Sequence, residues 1–127
     1  MSILERLLET DEEKIKAEFG TRYEVKRLSQ ALGEPFIVDC KPLTNEMVKH
    51  IGEISKNNVD TKLNAIYETC SIEGKRFNNN ALMEKFKVST GKELVQKLFL
   101  PGEVFALYNF INEISGYSTD AITEVKN

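Results

Sequence analysis

The chain has 127 residues, 41% of them hydrophobic and 29% charged, with a net charge of −3 and an isoelectric point near 5.3. That length favours one domain, burying roughly two-thirds of the surface of its unfolded chain, and the composition is that of a globular protein rather than a disordered one. The acidic balance argues against nucleic-acid binding, which draws on a strongly basic surface, and no apolar run approaches the ~20 residues that span a bilayer.

Ile3, Leu4, Leu7 and Leu8 recur at helical spacing and predict a short amphipathic helix. Two turns of helix are marginal alone, so this one must dock on its own chain or on another. Thr10 to Glu18 is charged, with Ile15 as its main apolar residue, and reads as a linker or helix extension. The start of the chain lacks the basic head and apolar segment of a signal peptide.

A β-hairpin is predicted from about Arg22 to Lys41. Its first strand runs through Tyr23 and Val25. Its second, Phe36-Ile37-Val38-Asp39-Cys40, is β-branched and aromatic, with Phe36, Val38 and Cys40 on one face. Gly33 and Pro35 punctuate the turn between them. A lone hairpin is unstable in water, so this one is expected to pack on helices or on a second subunit.

Helices follow. Thr44 and Glu46 mark a helix entrance, and Met47, Val48, Ile51 and Ile54 supply its buried stripe before Asn57-Asn58 ends it. Asp60 is a candidate cap for the next helix, whose face is Leu63, Ile66, Tyr67 and Cys70, and Gly74 breaks that pattern. Asn78 to Asn80 offer caps for a short helix with Leu82, Met83 and Phe86. Thr90 and Glu93 fit a capping box ahead of Leu94, Val95 and Leu98. Pro101 suits the first turn of a last helix, whose stripe is Val104, Leu107, Tyr108, Ile111 and Ile114, and Gly116 suits its left-handed end.

The expected architecture is α+β and predominantly helical, with one N-terminal β-hairpin packed on a bundle of about four to five short helices. Residues 1–20 read as helix and linker, 21–117 as a single globular domain, and 118–127 as a flexible C-terminal tail.

Chemistry is scarce. His50, the single histidine, has no partner in sequence to make it a general base, and it reads as a helix-surface residue. Ser89-Thr90-Gly91-Lys92 lacks the earlier glycine of a phosphate loop, and Glu93 would repel phosphate. The acidic run Glu9 to Glu13 is a solvated face rather than a carboxylate pair across a cleft. Cys40 and Cys70 have no zinc-site spacing and read as reduced, partly buried thiols, with a disulfide as the minor alternative. No catalytic group, cofactor site or metal site emerges. What does stand out is aromatic area near the C-terminus. Phe105 and Phe110 fall off the Val104/Leu107/Ile111 stripe, and with Phe99 and Tyr117 they are the candidate partner-binding residues.

The order of features carries a resemblance. Leu82-Met83-Glu84-Lys85-Phe86-Lys87-Val88 precedes Glu93-Leu94-Val95-Gln96-Lys97-Leu98-Phe99-Leu100-Pro101-Gly102-Glu103-Val104, and Ile114-Ser115-Gly116-Tyr117 closes the pattern. From about Tyr23 to Tyr117 the chain resembles the XkdN-like tail assembly chaperones of contractile-tailed phages and defective prophages of Gram-positive bacteria. In it, Leu100, Pro101, Gly102 and Glu103 form a structural joint, and Gly116 stands in the closing motif. The Ser29-Gln30-Ala31 stretch makes the hairpin connection longer than the family pattern.

The resemblance implies a non-enzymatic protein in the cytoplasm of the bacterial host, absent from the finished particle. Its implied partner is the tape-measure protein, with the tail-tube protein as a further one. Self-association is expected from the unpaired helix and hairpin edge. The family often makes a longer frameshifted product, and Val125-Lys126-Asn127 can be encoded by a slippery run of adenines. The competing readings are a structural tail or baseplate component and a small nucleic-acid-binding regulator, the latter disfavoured by the acidic charge.

Overall fold

A computed structural model describes residues 2–15 and 20–126. Part of the predicted linker, residues 16–19, lies outside the described residues. The fold is α+β and mostly helical, with eight α-helices and a four-stranded antiparallel sheet among the described residues.

The chain begins with α1 (Ile3–Glu9), capped by the Ser2 hydroxyl, which accepts from the Glu5 N–H at 3.1 Å. A single turn, α2 (Glu12–Ile15), follows. Strand β1 (Thr21–Glu24) pairs antiparallel with β2 (Ile37–Cys40), in the register Thr21 to Cys40 and Tyr23 to Val38. Val38 and Cys40 are buried and Phe36 packs beside them, as the alternation predicts.

The connection between these strands is not the predicted turn. It is a helix, α3 (Lys26–Leu32), which buries Val25 at its N-cap and Leu28 inside. Gly33 ends it at φ 74°, a left-handed conformation that glycine takes without strain. Ser29, on the stretch that lengthened the connection, uses its hydroxyl to accept the Phe36 N–H at 2.8 Å, so the helix directs the chain into β2.

Helix α4 (Asn45–Ile54) starts at Thr44, whose hydroxyl accepts from the Met47 N–H. Its predicted buried stripe holds at Ile51 alone. Val48 and Ile54 are exposed because α4 lies at the periphery and covers its neighbour with one residue per turn or less. Helix α5 (Asn58–Thr69) is capped by Asn57 rather than by Asp60. Asp60 sits in the first turn, where its carboxylate accepts the Lys56 N–H and meets Lys92 at 3.3 Å.

The predicted helical face ends one residue early. Cys70 leaves α5 and opens β3 (Cys70–Ile72), which pairs with β2 on one side and with β4 (Lys75–Arg76) on the other. Glu73 and Gly74 join β3 to β4 with φ 49° and 78°, the two positive values of a type I′ hairpin turn. Gly74 therefore marks a strand reversal and not merely a helix stop. The sheet order is β1-β2-β3-β4.

Helix α6 (Asn80–Lys85) is capped by Asn79, α7 (Gly91–Leu98) by Thr90, and α8 (Pro101–Ile114) begins at Pro101. Thr90 accepts the Glu93 N–H at 3.2 Å, while the Glu93 carboxylate takes the Thr90 hydroxyl rather than the backbone donor of a full box.

The core lies between the sheet and α5, α7 and α8. Ile66, Leu94, Val95 and Ile111 are fully buried there, with Phe77 from the end of β4. Gly91 is required by close approach. A Cβ there would stand 1.9 Å from the Tyr67 ring and 2.5 Å from the Phe77 carbonyl oxygen. Of the 118–127 segment, Thr119–Ala121 form one 3-10 turn, and Ile122 and Val125 are exposed.

Candidate partner-binding surface

The Leu-Pro-Gly-Glu joint is built around one carboxylate. Proline at the first position of α8 loses no hydrogen bond, because that N–H would be free anyway. Glu103, two residues further, accepts the Leu100 N–H at 2.8 Å. The Arg27 guanidinium, reaching over from α3, donates to both Glu103 oxygens, at 2.9 and 3.0 Å, and to the Leu98 carbonyl at 2.8 Å. Helix α3 and the α7–α8 joint, more than seventy residues apart in sequence, thus meet at a bidentate charge-assisted pair. The Arg27 hydrogen bonds hold the Glu103 carboxyl below its ordinary range, and Glu103 in turn raises the guanidinium.

The other end of α8 closes as a Schellman motif. The Gly116 N–H bonds the Glu113 carbonyl and the Tyr117 N–H bonds the Asn112 carbonyl, both at 3.1 Å, with Gly116 at φ 85°. The Ser115 hydroxyl there accepts the Leu43 N–H at 2.8 Å, fastening the end of α8 to the β2–α4 connection. These contacts fix the two ends of α8, the helix that carries Phe105 and Phe110.

Those aromatics separate into different roles. Phe99 is 4% exposed and meets Phe36 and Phe77 edge-on, so it belongs to the core rather than to a surface. Phe110 is 38% exposed and stacks flat on Tyr23 of β1, with ring centroids 4.5 Å apart, which covers one face of it and leaves the other toward solvent. Burial raises the Tyr23 phenol above its usual range. Phe105 is 57% and Tyr117 61% exposed. At 100° per residue, Phe105 and Phe110 project from opposite flanks of the buried α8 stripe, so the two do not form one patch.

The largest run of exposed apolar side chains lies elsewhere, on α1. Ile3, Leu4, Leu7 and Leu8 stand between 57% and 86% exposed, and α1 buries none of its residues. The sequence shows that this helix needs a partner, but its periodicity alone does not distinguish a stripe for the chain's own core from one for another molecule. Leu32, Val48, Ile54 and Val59 add exposed apolar area that sequence reasoning assigned to the interior or passed over.

His50 is exposed, 4.0 Å from Glu68. Among the described residues no cluster of three or more His, Cys, Asp or Glu is arranged to hold a metal ion, and no helix is long and apolar enough to cross a membrane.

A scaffold of fixed helix ends with greasy, unpartnered side chains suits a protein that works by contact. Comparison with known families agrees with that class: the family model of phage XkdN-like tail assembly chaperone proteins matches residues 4–126. The chain belongs to the XkdN-like phage tail assembly chaperone family. No curated protein and no solved structure is matched.

Proposed function

We propose that this tail assembly chaperone binds the tape-measure protein and holds it soluble until tail-tube subunits close around it, without catalysis. The observation that carries the reading is the α1 stripe of Ile3, Leu4, Leu7 and Leu8, exposed on a helix that buries none of its residues among the described residues. An amphipathic helix of this kind gains stability by laying its apolar face against another helix, and a long helical polypeptide offers many such faces. Phe105, Phe110 and Tyr117 extend the contact surface on the body. Several weak contacts per copy, repeated along one rod, add through effective concentration while each stays reversible. Reversibility suits a protein that acts in the host cytoplasm and is absent from the mature particle. Self-association of copies through the same stripe belongs to this reading.

Co-expression with the tape-measure protein of the same phage tests it. The intact chain should move the tape-measure protein into the soluble fraction and co-elute with it. The Leu4→Asp/Leu8→Asp variant should do neither while keeping its own fold. Tape-measure protein that stays insoluble beside the intact chain, or is solubilised equally by the variant, overturns the reading.

A further inference from the structure

Cys40 and Cys70 stand thirty residues apart in sequence and directly opposite each other in the β2–β3 ladder. Their sulfurs are 3.1 Å apart, and both residues are buried. The Lys41 N–H bonds the Thr69 carbonyl, so the neighbouring pair carries the ladder hydrogen bonds. The two cysteines therefore occupy a non-hydrogen-bonded site, where opposed Cα atoms lie about 4.5 Å apart, within the span a disulfide bridges. A cavity of about 280 Å³ lies against the pair, with Gly20, Lys41, Glu68 and Arg76 also on its walls.

The two sulfurs are not equivalent. Cys40 shares its hydrogen bond with Cys70, which keeps the proton on Cys40, and burial reinforces this. That same bond favours the thiolate on Cys70 over the opposing effect of burial, with the Thr69 hydroxyl 3.6 Å away as a further donor. Asp39, Lys41, Glu68 and Arg76 on the cavity wall carry charges of both signs, with Arg76 paired to Glu68 at 3.3 Å. Two buried sulfurs in contact beside a small cavity suit oxidation by a small neutral peroxide rather than by a bulky disulfide.

We infer that Cys40 and Cys70 form a modification site at which hydrogen peroxide closes a disulfide across β2 and β3. Cys70 ionises and attacks one peroxide oxygen. An S–O bond forms, the O–O bond breaks, and the departing hydroxide takes up the proton that Cys70 released. Cys40 then attacks the sulfenic sulfur. The S–S bond forms, the S–O bond breaks, and the hydroxyl leaves with the Cys40 proton as water. Two thiols and one peroxide become one disulfide and two waters, with two electrons passing from sulfur to oxygen. The link closes a loop containing α4 and α5, so the oxidised chain resists unfolding more than the reduced one.

The test treats the intact, reduced chain with hydrogen peroxide, stops the reaction with catalase, and alkylates what thiol remains. The expected result is a monomer lighter by two hydrogen atoms that takes up no alkylating agent. It should yield a linked Cys40–Cys70 peptide that dithiothreitol separates, and its melting temperature should rise by about 10 °C. Cys40→Ser should instead gain oxygen at Cys70, and Cys70→Ser should leave Cys40 reduced under the same treatment. Oxygen added only to methionines with both cysteines still alkylated, or disulfide-linked dimers, overturns the inference on the unaltered chain alone. Equal oxidation of the two serine variants overturns the order of attack.

Discussion

Helices α1 and α8 carry the same kind of message and meet opposite fates. Each has large apolar side chains at helical spacing and a defined N-terminal cap. In α8 the stripe of Val104, Leu107 and Ile111 is buried in the core, with α8 packed on α5, while in α1 every apolar side chain is exposed. The period of a hydrophobic pattern specifies a face. What lies across from that face decides whether it becomes core or contact surface. In α8 the placement is enforced by Arg27 and Glu103 at one end and by Gly116 and Ser115 at the other. Nothing comparable ties α1 to the body among the described residues.

The contrast can be broken most strongly from the α8 side. Ile111→Ala removes a fully buried side chain and should lower unfolding free energy by about 3–4 kcal/mol in urea titration. Gly91→Ala comes next. Its Cβ cannot fit between Tyr67 and the Phe77 carbonyl, and the overpacking should take about 2–3 kcal/mol from the same measurement.

Glu103→Gln loses the charge that Arg27 grips. Because the pair is partly solvated, the effect should be about 1 kcal/mol. It should also change the pH response. Glu103 has its folded pKa lowered, so its contribution is full above the ordinary carboxylate pKa and disappears as pH falls through the folded value. Urea midpoints at pH 7 and pH 3 should therefore differ more in the unaltered chain than in Glu103→Gln. Asp60, lowered by its hydrogen bond from the Lys56 backbone and by Lys92, supplies part of the slope that remains. The smallest effect belongs to α1: Leu7→Ser should shift the urea midpoint by under about 0.5 kcal/mol equivalent. A loss comparable to that of Ile111→Ala would mean that α1 is core after all, and would erase the distinction.

What could be read from the sequence follows the same logic. Thr44, Thr90, Pro101 and Gly116 announce helix ends through their own backbone chemistry, and all four stand at or next to such ends. The strand Phe36 to Cys40 was readable because its burial alternates. Helix α3 was hidden because Tyr23 and Val25 alternate convincingly and the helical spacing of Val25 and Leu28 spans a single turn. The better clue was Ala31-Leu32-Gly33, good helix formers before a left-handed glycine. Strands β3 and β4 were hidden for another reason. They are three and two residues long, too short to show a period; β3 forms because β2 offers it an edge, and β4 because β3 does. On the candidate surface, Phe105 and Phe110 were readable as departures from a stripe. Phe99 was misplaced because its cover, Phe36 and Phe77, comes from distant strands.

The order of α5 before α8 along the chain governs how the molecule is born. Helix α5 emerges from the ribosome well before α8, with Leu63 and Ile66 lacking the lid they acquire in the finished body. Arg27 waits still longer for the carboxylate it grips. A nascent copy therefore exposes part of its future interior until α8 has been made and packs on α5.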